Sequence, residues 1–293
     1  MNKRYKIKVP ATTANLGPGF DCIGMSLTLY NEFIVQRGEI YSFVNVVEEY
    51  ANEENLFIQS AKKVYQYFNC DDIKFKLEII ENVPISRGLG SSATCIIGGI
   101  ICGFLMLEKK IDQDIVLKLA NQIEGHPDNI APAYLGGLIC SFIDDEKVFS
   151  YKYNVLKDIK FNVLIPDFPM ETRVARNVLP KYLDYITAIY SMSRAINIPK
   201  LLEIGDFEGL YYALKDKLHQ PYRFPLIDES EKFINFSNEN KLPFVISGSG
   251  STLLMLSKNS IIDELKKIEV TNGWKFIELS VDNLGASWEV IDG

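Results

Sequence analysis

The sequence predicts an α+β protein of two domains with a cleft between them, and three observations carry that expectation. Strand-like and helix-like segments occur in both halves of the chain. The character of the chain changes near residues 155 to 160, which divides it into 1–155 and 156–293. At 293 residues and 47% apolar content there is material for two ordinary cores.

The elements follow in order. Strands are expected at 5–9 and 27–36, joined by V-P-A-T-T-A-N-L-G-P-G-F-D (Val9 to Asp21), which packs glycine, proline and amide into a constrained connection. A helix is expected near 55–68. Residues 73–79 alternate, with Ile73, Phe75, Leu77 and Ile79 on one face and Lys74, Lys76 and Glu78 on the other. A charge-free run from Ala93 to Leu107 reads as a buried helix, and 112–124 as a second helix capped by Asp112. A hairpin at 135–153 closes the first half. The second half holds a strand at 161–165, helices within 181–219, a strand at 243–247 and a final strand–helix–strand.

The most informative stretch is V-P-I-S-R-G-L-G-S-S-A-T, Val83 to Thr94. Gly88 and Gly90 let the backbone turn its N–H groups toward one point, and Ser91 and Ser92 add hydroxyls at a helix N-terminus, where an anion such as a phosphate chain is favoured. A plain glycine-rich turn capping a buried helix is the simpler alternative. A Walker A loop is excluded, because no Lys follows the glycines. Gly88 to Ala93 does fit G-x-G-x-x-G/A, with Glu108 twenty residues beyond Gly88. Context rejects the dinucleotide reading: Pro84 and three more residues separate strand from glycines, and Glu108 sits where a helix is ending.

Composition excludes other classes. A net charge of −7 argues against nucleic acid and anionic membranes as partners. Five cysteines without a C-x-x-C pair read as free thiols, and two histidines far from them make a Cys/His metal site improbable. The basic N-terminus lacks the apolar run of a signal peptide. Leu89 to Leu107 is long enough to span a membrane but holds four glycines and begins inside the serine-rich loop. A soluble, cytoplasmic protein is expected. Oligomeric state is left open, a homodimer included.

Three further constellations carry chemistry. The segment E-G-H-P-D-N-I-A-P places Glu124, His126, Asp128 and Asn129 just past a helix end, and Glu124 offers a hard oxygen suited to Mg²⁺. Arg173, Arg176, Arg194 and Arg223 include candidates for a carboxylate or phosphoryl clamp. The run 243–256 is a strand, a glycine–serine turn and another strand, either a hairpin or a backbone wall closing a phosphate site.

Together, Val9 to Asp21, Val83 to Thr94, Glu124 to Pro132, A-R-N-V-L-P ending at Pro180, Q-P-Y-R ending at Arg223 and Ser247 to Thr252 resemble the GHMP kinase superfamily and, within it, the branch that phosphorylates L-homoserine. The resemblance covers nearly the whole chain. It implies a first domain like ribosomal protein S5 domain 2, a ferredoxin-like second domain, and ATP as co-substrate in a step of threonine biosynthesis. It implies ATP contacts along Pro84, Ile85, Ser86, Arg87, Gly88, Leu89, Gly90, Ser91, Ser92, Ala93 and Thr94, with Asn55 near the adenine. Mg²⁺ would sit on Ser92 (or Ser91) and Glu124. Asp21 would take the substrate ammonium, Arg223 the carboxylate and Asn15 the reacting hydroxyl. Arg176 would lie between hydroxyl and γ-phosphate, and His126, Thr172 and Gly248 would complete the pocket. Asp128, beside Asn129, is the acid available as a base; direct loss of the proton to the phosphate is the alternative. Another small-molecule kinase of the superfamily, and a non-catalytic relative, are the competing classes.

Overall fold

The structure is a computed structural model that describes residues 3–291. Its first sheet is built on a long antiparallel pair, β1 (Arg4–Ala14) and β2 (Ile23–Arg37). One end of β2 pairs with β4 (Phe75–Ile80), which β3 (Ser42–Val44) joins in parallel. The other end pairs with β5 (Leu138–Asp144), which forms the expected hairpin with β6 (Lys147–Tyr153). The second sheet holds β7 (Lys160–Pro166), β8 (Phe244–Ile246), β9 (Leu253–Ser257) and β10 (Trp274–Leu279) in the spatial order β10-β7-β9-β8. Counted from β7 that order is 4-1-3-2, all antiparallel, with helices after the first and third strands. This is the ferredoxin-like arrangement. The last strand, β11 (Ser287–Ile291), leaves that half and pairs with β1 at the edge of the first sheet.

β1 runs further than the sequence pattern implies, through Thr12 and Thr13 to Ala14. These β-branched and small residues are buried and pair with β2 after a register shift at Pro10/Ala11, where proline has no N–H to donate. The connection to β2 therefore shrinks to residues 15–22.

The first sheet is packed by α1 (Leu56–Tyr67), α2 (Ser91–Met106), α3 (Gln113–Glu124) and α4 (Pro127–Leu135). Asp112 caps α3 by accepting the Ile115 N–H at 3.1 Å, as expected. Residues 127–132, expected in a loop, begin α4 instead. Gly125 takes a left-handed φ of 87°, and Pro127 fits the first turn because its missing N–H is not needed there. Asp128 and Asn129 are thereby fixed on a helix.

The second half adds α5 (Thr172–Asn177), α6 (Tyr185–Ala195), α7 (Ile198–Ile204), α8 (Phe207–Ala213), α9 (Gln220–Arg223) and α10 (Ser230–Asn240). Among the described residues no helix is long and apolar enough to cross a membrane. The charge-free run is divided between a loop and the core helix α2.

The glycines inside α2 have a packing reason. A Cβ on Gly99 would lie 2.2 Å from the Phe57 carbonyl oxygen of α1, so the two helices touch backbone to backbone. Gly99→Ala should force them apart and destabilise the fold by about 1–3 kcal/mol. A thermal melt tests this, and an unchanged midpoint would mean that α1 shifts freely.

Candidate active site

The serine–glycine loop is clasped between the two halves. Gly90 has φ 69°, and a Cβ there would lie 2.0 Å from Thr12 Oγ1 of β1. Gly88 has φ 75°, and its Cβ would lie 2.2 Å from the Ser247 carbonyl oxygen at the end of β8. The Arg87 guanidinium staples the loop to the end of β7, donating from Nε to the Pro166 carbonyl at 3.1 Å and from Nη2 to that of Asp167 at 2.6 Å. With its third bond going to the Ile85 carbonyl, Arg87 leaves anion binding to backbone amides. α2 starts at Ser91, and the loop's helical bonding begins with Thr94 N–H on the Gly90 carbonyl at 3.0 Å. The N–H groups of Ser91, Ser92 and Ala93 thus form the positive end of a long buried helix. Beside them Ser92 Oγ donates to Glu124 Oε1 at 3.0 Å. Burial raises the Glu124 pKa, opposed by His126 and the Ser92 hydroxyl.

Across the same cleft, of about 300 Å³, lies a second group of polar residues. Asn15, in a left-handed conformation that asparagine tolerates, accepts the Asp21 N–H at 3.0 Å and donates to the Gly248 carbonyl at 2.8 Å. That carbonyl also accepts Arg223 Nη1 at 3.1 Å, while Arg223 Nε donates to the Ala175 carbonyl at 3.0 Å. Arg223 is buried, and burial, aided by the charge of Arg176, lowers its pKa to about 10. Arg176 grips Asp21 with both η nitrogens, at 2.7 and 3.1 Å. Phe20 lies against both guanidinium groups, its ring centre 5.4 Å from Arg176 Cζ and 5.2 Å from Arg223 Cζ. Asp128 is buried and bonded to His126 Nδ1 at 2.6 Å. Burial pulls the His126 pKa down, but that bond and the neighbouring carboxylates outweigh it and raise the net value.

A phosphate-suited helix end and an amino-acid-suited set of opposite charges thus share one cleft, and comparison with known proteins places that cleft in a family. The family model described as GHMP kinases N terminal domain matches residues 55–137. The homoserine kinase of Clostridium botulinum (strain ATCC 19397 / Type A) is 38% identical over 290 residues, covering 96% of this chain and 97% of the relative. That of Clostridium acetobutylicum is 39% identical over 298 residues, covering 96% and 98%. The chain belongs to the homoserine kinase family. The crystal structure of homoserine kinase from Cytophaga hutchinsonii superposes with a TM-score of 0.86 at 22% identity, covering 98% of this chain and 97% of that one, a likeness of fold.

Within this family member the structure brings the expected acceptor-side residues Asn15, Asp21, His126, Thr172, Arg176, Arg223 and Gly248 to the cleft, together with Glu124. Ile85 to Gly88 and Gly90 to Ser92 line it as well. The rest of the expected phosphate segment faces elsewhere. Leu89 and Ala93 are core residues, and Pro84 lies outside the lining. Thr94 Oγ1 donates to the Ser91 carbonyl and accepts from Asn31, because it sits on the buried side of the first turn. Asn55 caps α1 and donates to the Tyr50 carbonyl, so what it gives the cleft is a wall. Asn129 accepts the Thr12 hydroxyl at 2.7 Å, which ties α4 to β1.

Sequence reasoning missed His219, Asp216 and Phe20. The signal was D-K-L-H-Q-P-Y-R, with His219 one helical turn before Arg223 and Asp216 three residues earlier. The Asp216 carboxylate accepts the N–H groups of Leu218, His219 and Gln220 and so starts α9. His219 Nε2 lies 2.8 Å from the Gly17 carbonyl and must carry the proton; Nδ1 then accepts from Arg223 Nη1 at 3.1 Å. This pattern requires a neutral ring. Burial, opposed by the Asp216 charge and reinforced by that of Arg223, holds the His219 pKa down at about 4.

The unfolded chain therefore takes up this proton first as pH falls. The stabilisation from neutral His219 is present above the ordinary value of 6.5 and is lost as pH drops from there toward about 4. His219→Gln keeps one donor and one acceptor without titrating. Denaturant unfolding across that window should fall more steeply for the native chain than for His219→Gln, and equal slopes would refute the neutral assignment. His219→Leu should cost about 1–3 kcal/mol at neutral pH, by leaving buried partners unpaired.

Proposed function

We propose that this cleft transfers the γ-phosphoryl group of ATP to the side-chain hydroxyl of L-homoserine, giving O-phospho-L-homoserine and ADP. One observation carries the reading: the N-terminus of α2 and the Asp21, Arg176 and Arg223 charges face a single cleft. Such a transfer needs positioning and charge neutralisation more than covalent help from the protein. The amides of Gly88 to Ser92 hold the β- and γ-phosphates.

The residues present fit Mg²⁺ at Ser92 and Glu124. A hydroxyl and a carboxylate, both hard oxygen donors, already meet there at 3.0 Å, and burial makes a cation beside Glu124 favourable. Bound there, Mg²⁺ would supply charge neutralisation to the phosphates. Asp21, His126 and Asp128 also have ligand atoms within 4.8 Å of one another. Arg176 on Asp21 and the His126–Asp128 bond occupy that set, so it suits a cation poorly.

Asp21 takes the homoserine ammonium and Arg223 its carboxylate. Because Arg223 commits Nε and Nη1 to protein carbonyls, the plane in which Nη2 meets a carboxylate is fixed. Asn15 keeps one N–H and one lone pair for the acceptor hydroxyl. The incoming ammonium competes with Arg176 for Asp21, which frees guanidinium N–H groups for the transferring phosphoryl. Asp128 is bonded through Oδ1 to His126, and the reading adopted is that the hydroxyl proton passes directly to a phosphoryl oxygen. The five cysteines suit a reducing, cytoplasmic setting.

ADP release should require homoserine and fail with mevalonate or galactose, since neither offers an ammonium to Asp21. Equal or faster turnover of either would replace the assignment. Steady-state kinetics should also separate the two arginines. Arg223→Lys should chiefly raise KM for homoserine, by the equivalent of about 1–3 kcal/mol. Arg176→Lys should lower kcat too, by at least roughly tenfold more than Arg223→Lys does, about 1.4 kcal/mol of barrier. With folding checked by circular dichroism, an effect on KM alone in both variants would make Arg176 a binding residue.

A further inference from the structure

Beside α9 the second half carries a hollow of about 240 Å³ that shares no lining residue with the cleft. Leu214 after α8, Ile234 of α10 and Leu242 give it an apolar floor. Phe224 and Phe244 form one wall, stacked with ring centres 5.8 Å apart and planes 13° from parallel. Protein interiors leave few voids larger than a water molecule, so a hollow of this size is not ordinary core packing. An apolar cavity of roughly 150 Å³ already holds benzene, which leaves room here for a ring with a short tail.

The rim decides the charge of what enters. Lys215 stands there in solvent, its ammonium 4.2 Å from the Tyr211 ring centre. Tyr211 Oη donates to Asn238 Oδ1 at 3.1 Å. Among the described residues neither the Asn238 amide N–H groups nor the Lys215 ammonium has a hydrogen-bond partner. The acceptors, by contrast, are taken. Both Asp216 oxygens accept N–H groups at the start of α9, and Gln220 Oε1 accepts that of Ile246 at 2.9 Å. Free donors around an apolar floor suit a negative head on an apolar body and suit an ammonium poorly.

We propose that this hollow is a second ligand site, for a small carboxylate with a compact aromatic or branched apolar body, and that its occupation acts on homoserine binding through α9. That helix serves both places. Gln220 and Pro221, with Phe224 directly after them, line the hollow, while Arg223 of the same turn lines the cleft. Gln220 is also a bolt, donating to the Leu214 carbonyl at 3.0 Å while it holds the Ile246 N–H of β8. A ligand pressed against Gln220, Pro221 and Phe224 displaces the segment that sets the plane of the Arg223 guanidinium. Arg223 already has matched partners, so a displacement weakens its hold on a carboxylate. This consequence rests on the assignment of the homoserine carboxylate to Arg223, whereas the site itself does not.

Calorimetric titration of the full chain with 3-phenylpropanoate, in the absence of ATP and homoserine, tests the site. A Kd of about 1 mM or below is expected for a ligand of this size. Uncharged 3-phenylpropanol should bind about threefold to fivefold more weakly, and 3-phenylpropylamine more weakly still. Lys215→Met should cost the acid the same factor and leave the alcohol unchanged. Ile234→Trp, which fills the hollow, should abolish binding of both; should it fail to fold, Lys215→Met and the amine decide. With homoserine as the varied substrate, saturating 3-phenylpropanoate should raise KM about fivefold or more, with kcat changed by less than about twofold. Ile234→Trp should show no such rise. Absence of binding heat up to about 20 mM overturns the site. So does an amine that binds as tightly as the acid, or binding that survives in folded Ile234→Trp, which would move the ligand to the cleft. Binding with an unchanged KM overturns the coupling through α9. A chain that binds the acid but phosphorylates no homoserine upholds the site and fails the reading of the cleft instead.

Discussion

The close seating of a glycine loop between two sheets sets the geometry of everything around it. At Gly90 the loop backbone lies against Thr12 of β1, and at Gly88 against the Ser247 carbonyl beyond β8, with no space at either place for a Cβ. Ser247 Oγ also donates to the Gly88 carbonyl at 2.6 Å, and the Thr252 N–H to that of Arg87 at 3.0 Å. A loop held from both domains fixes where α2 begins, and hence where its unpaired amides lie. It also sets where Ser92 meets Glu124. Because it is the loop backbone itself that is held on both sides, the loop cannot move away from either domain without breaking these contacts.

The opposite wall depends on a buried charge. A buried guanidinium is costly unless its donors are matched. Arg223 matches them with the Ala175 and Gly248 carbonyls and the lone pair of His219. The His219 proton then has to sit on Nε2, where the Gly17 carbonyl accepts it. One residue's charge therefore dictates another's tautomer, and Asp216, which starts α9, sets the position of both. Phe20 closes the arrangement as a shared face for two cations that would otherwise repel each other.

Much of this was legible in the sequence where the signal is local. The serine–glycine loop, the charge-free helix behind it, the Asp112 cap and the β5–β6 hairpin each follow from neighbouring residues. So does the phosphate-binding expectation, because two glycines and two serines before an apolar helix state their chemistry within ten positions. What stayed hidden is long-range. Nothing in S-W-E-V-I announces that β11 returns to pair with β1, since an alternating edge strand fits either sheet. The Asp21–Arg176 pair joins residues 155 positions apart. His219 looked ordinary because its meaning lies in Gly17, on the other domain. Residues 127–132 read as loop because two prolines in six residues suggest a break; Pro127 falls in the first turn, where its missing N–H costs nothing, while Pro132 lies inside the helix.

An acidic chain that binds a polyanion looks contradictory only if charge is averaged over the molecule. In the reading proposed here, the phosphates meet neutral N–H groups aligned by α2, whose field acts over a few ångströms and does not depend on net charge. The cationic side chains are reserved for the other end of the cleft, where Asp21 keeps Arg176 turned toward the acceptor. That division matters for selectivity. Had arginines been used to hold the phosphates, ATP alone would draw the full positive field of the cleft. In the proposed reading, an ammonium that takes a share of Asp21 loosens Arg176 and turns more of its positive charge toward the transferring group. On the same proposal the acceptor's own charge couples its presence to phosphoryl transfer, and water, which carries none, would leave Arg176 on Asp21.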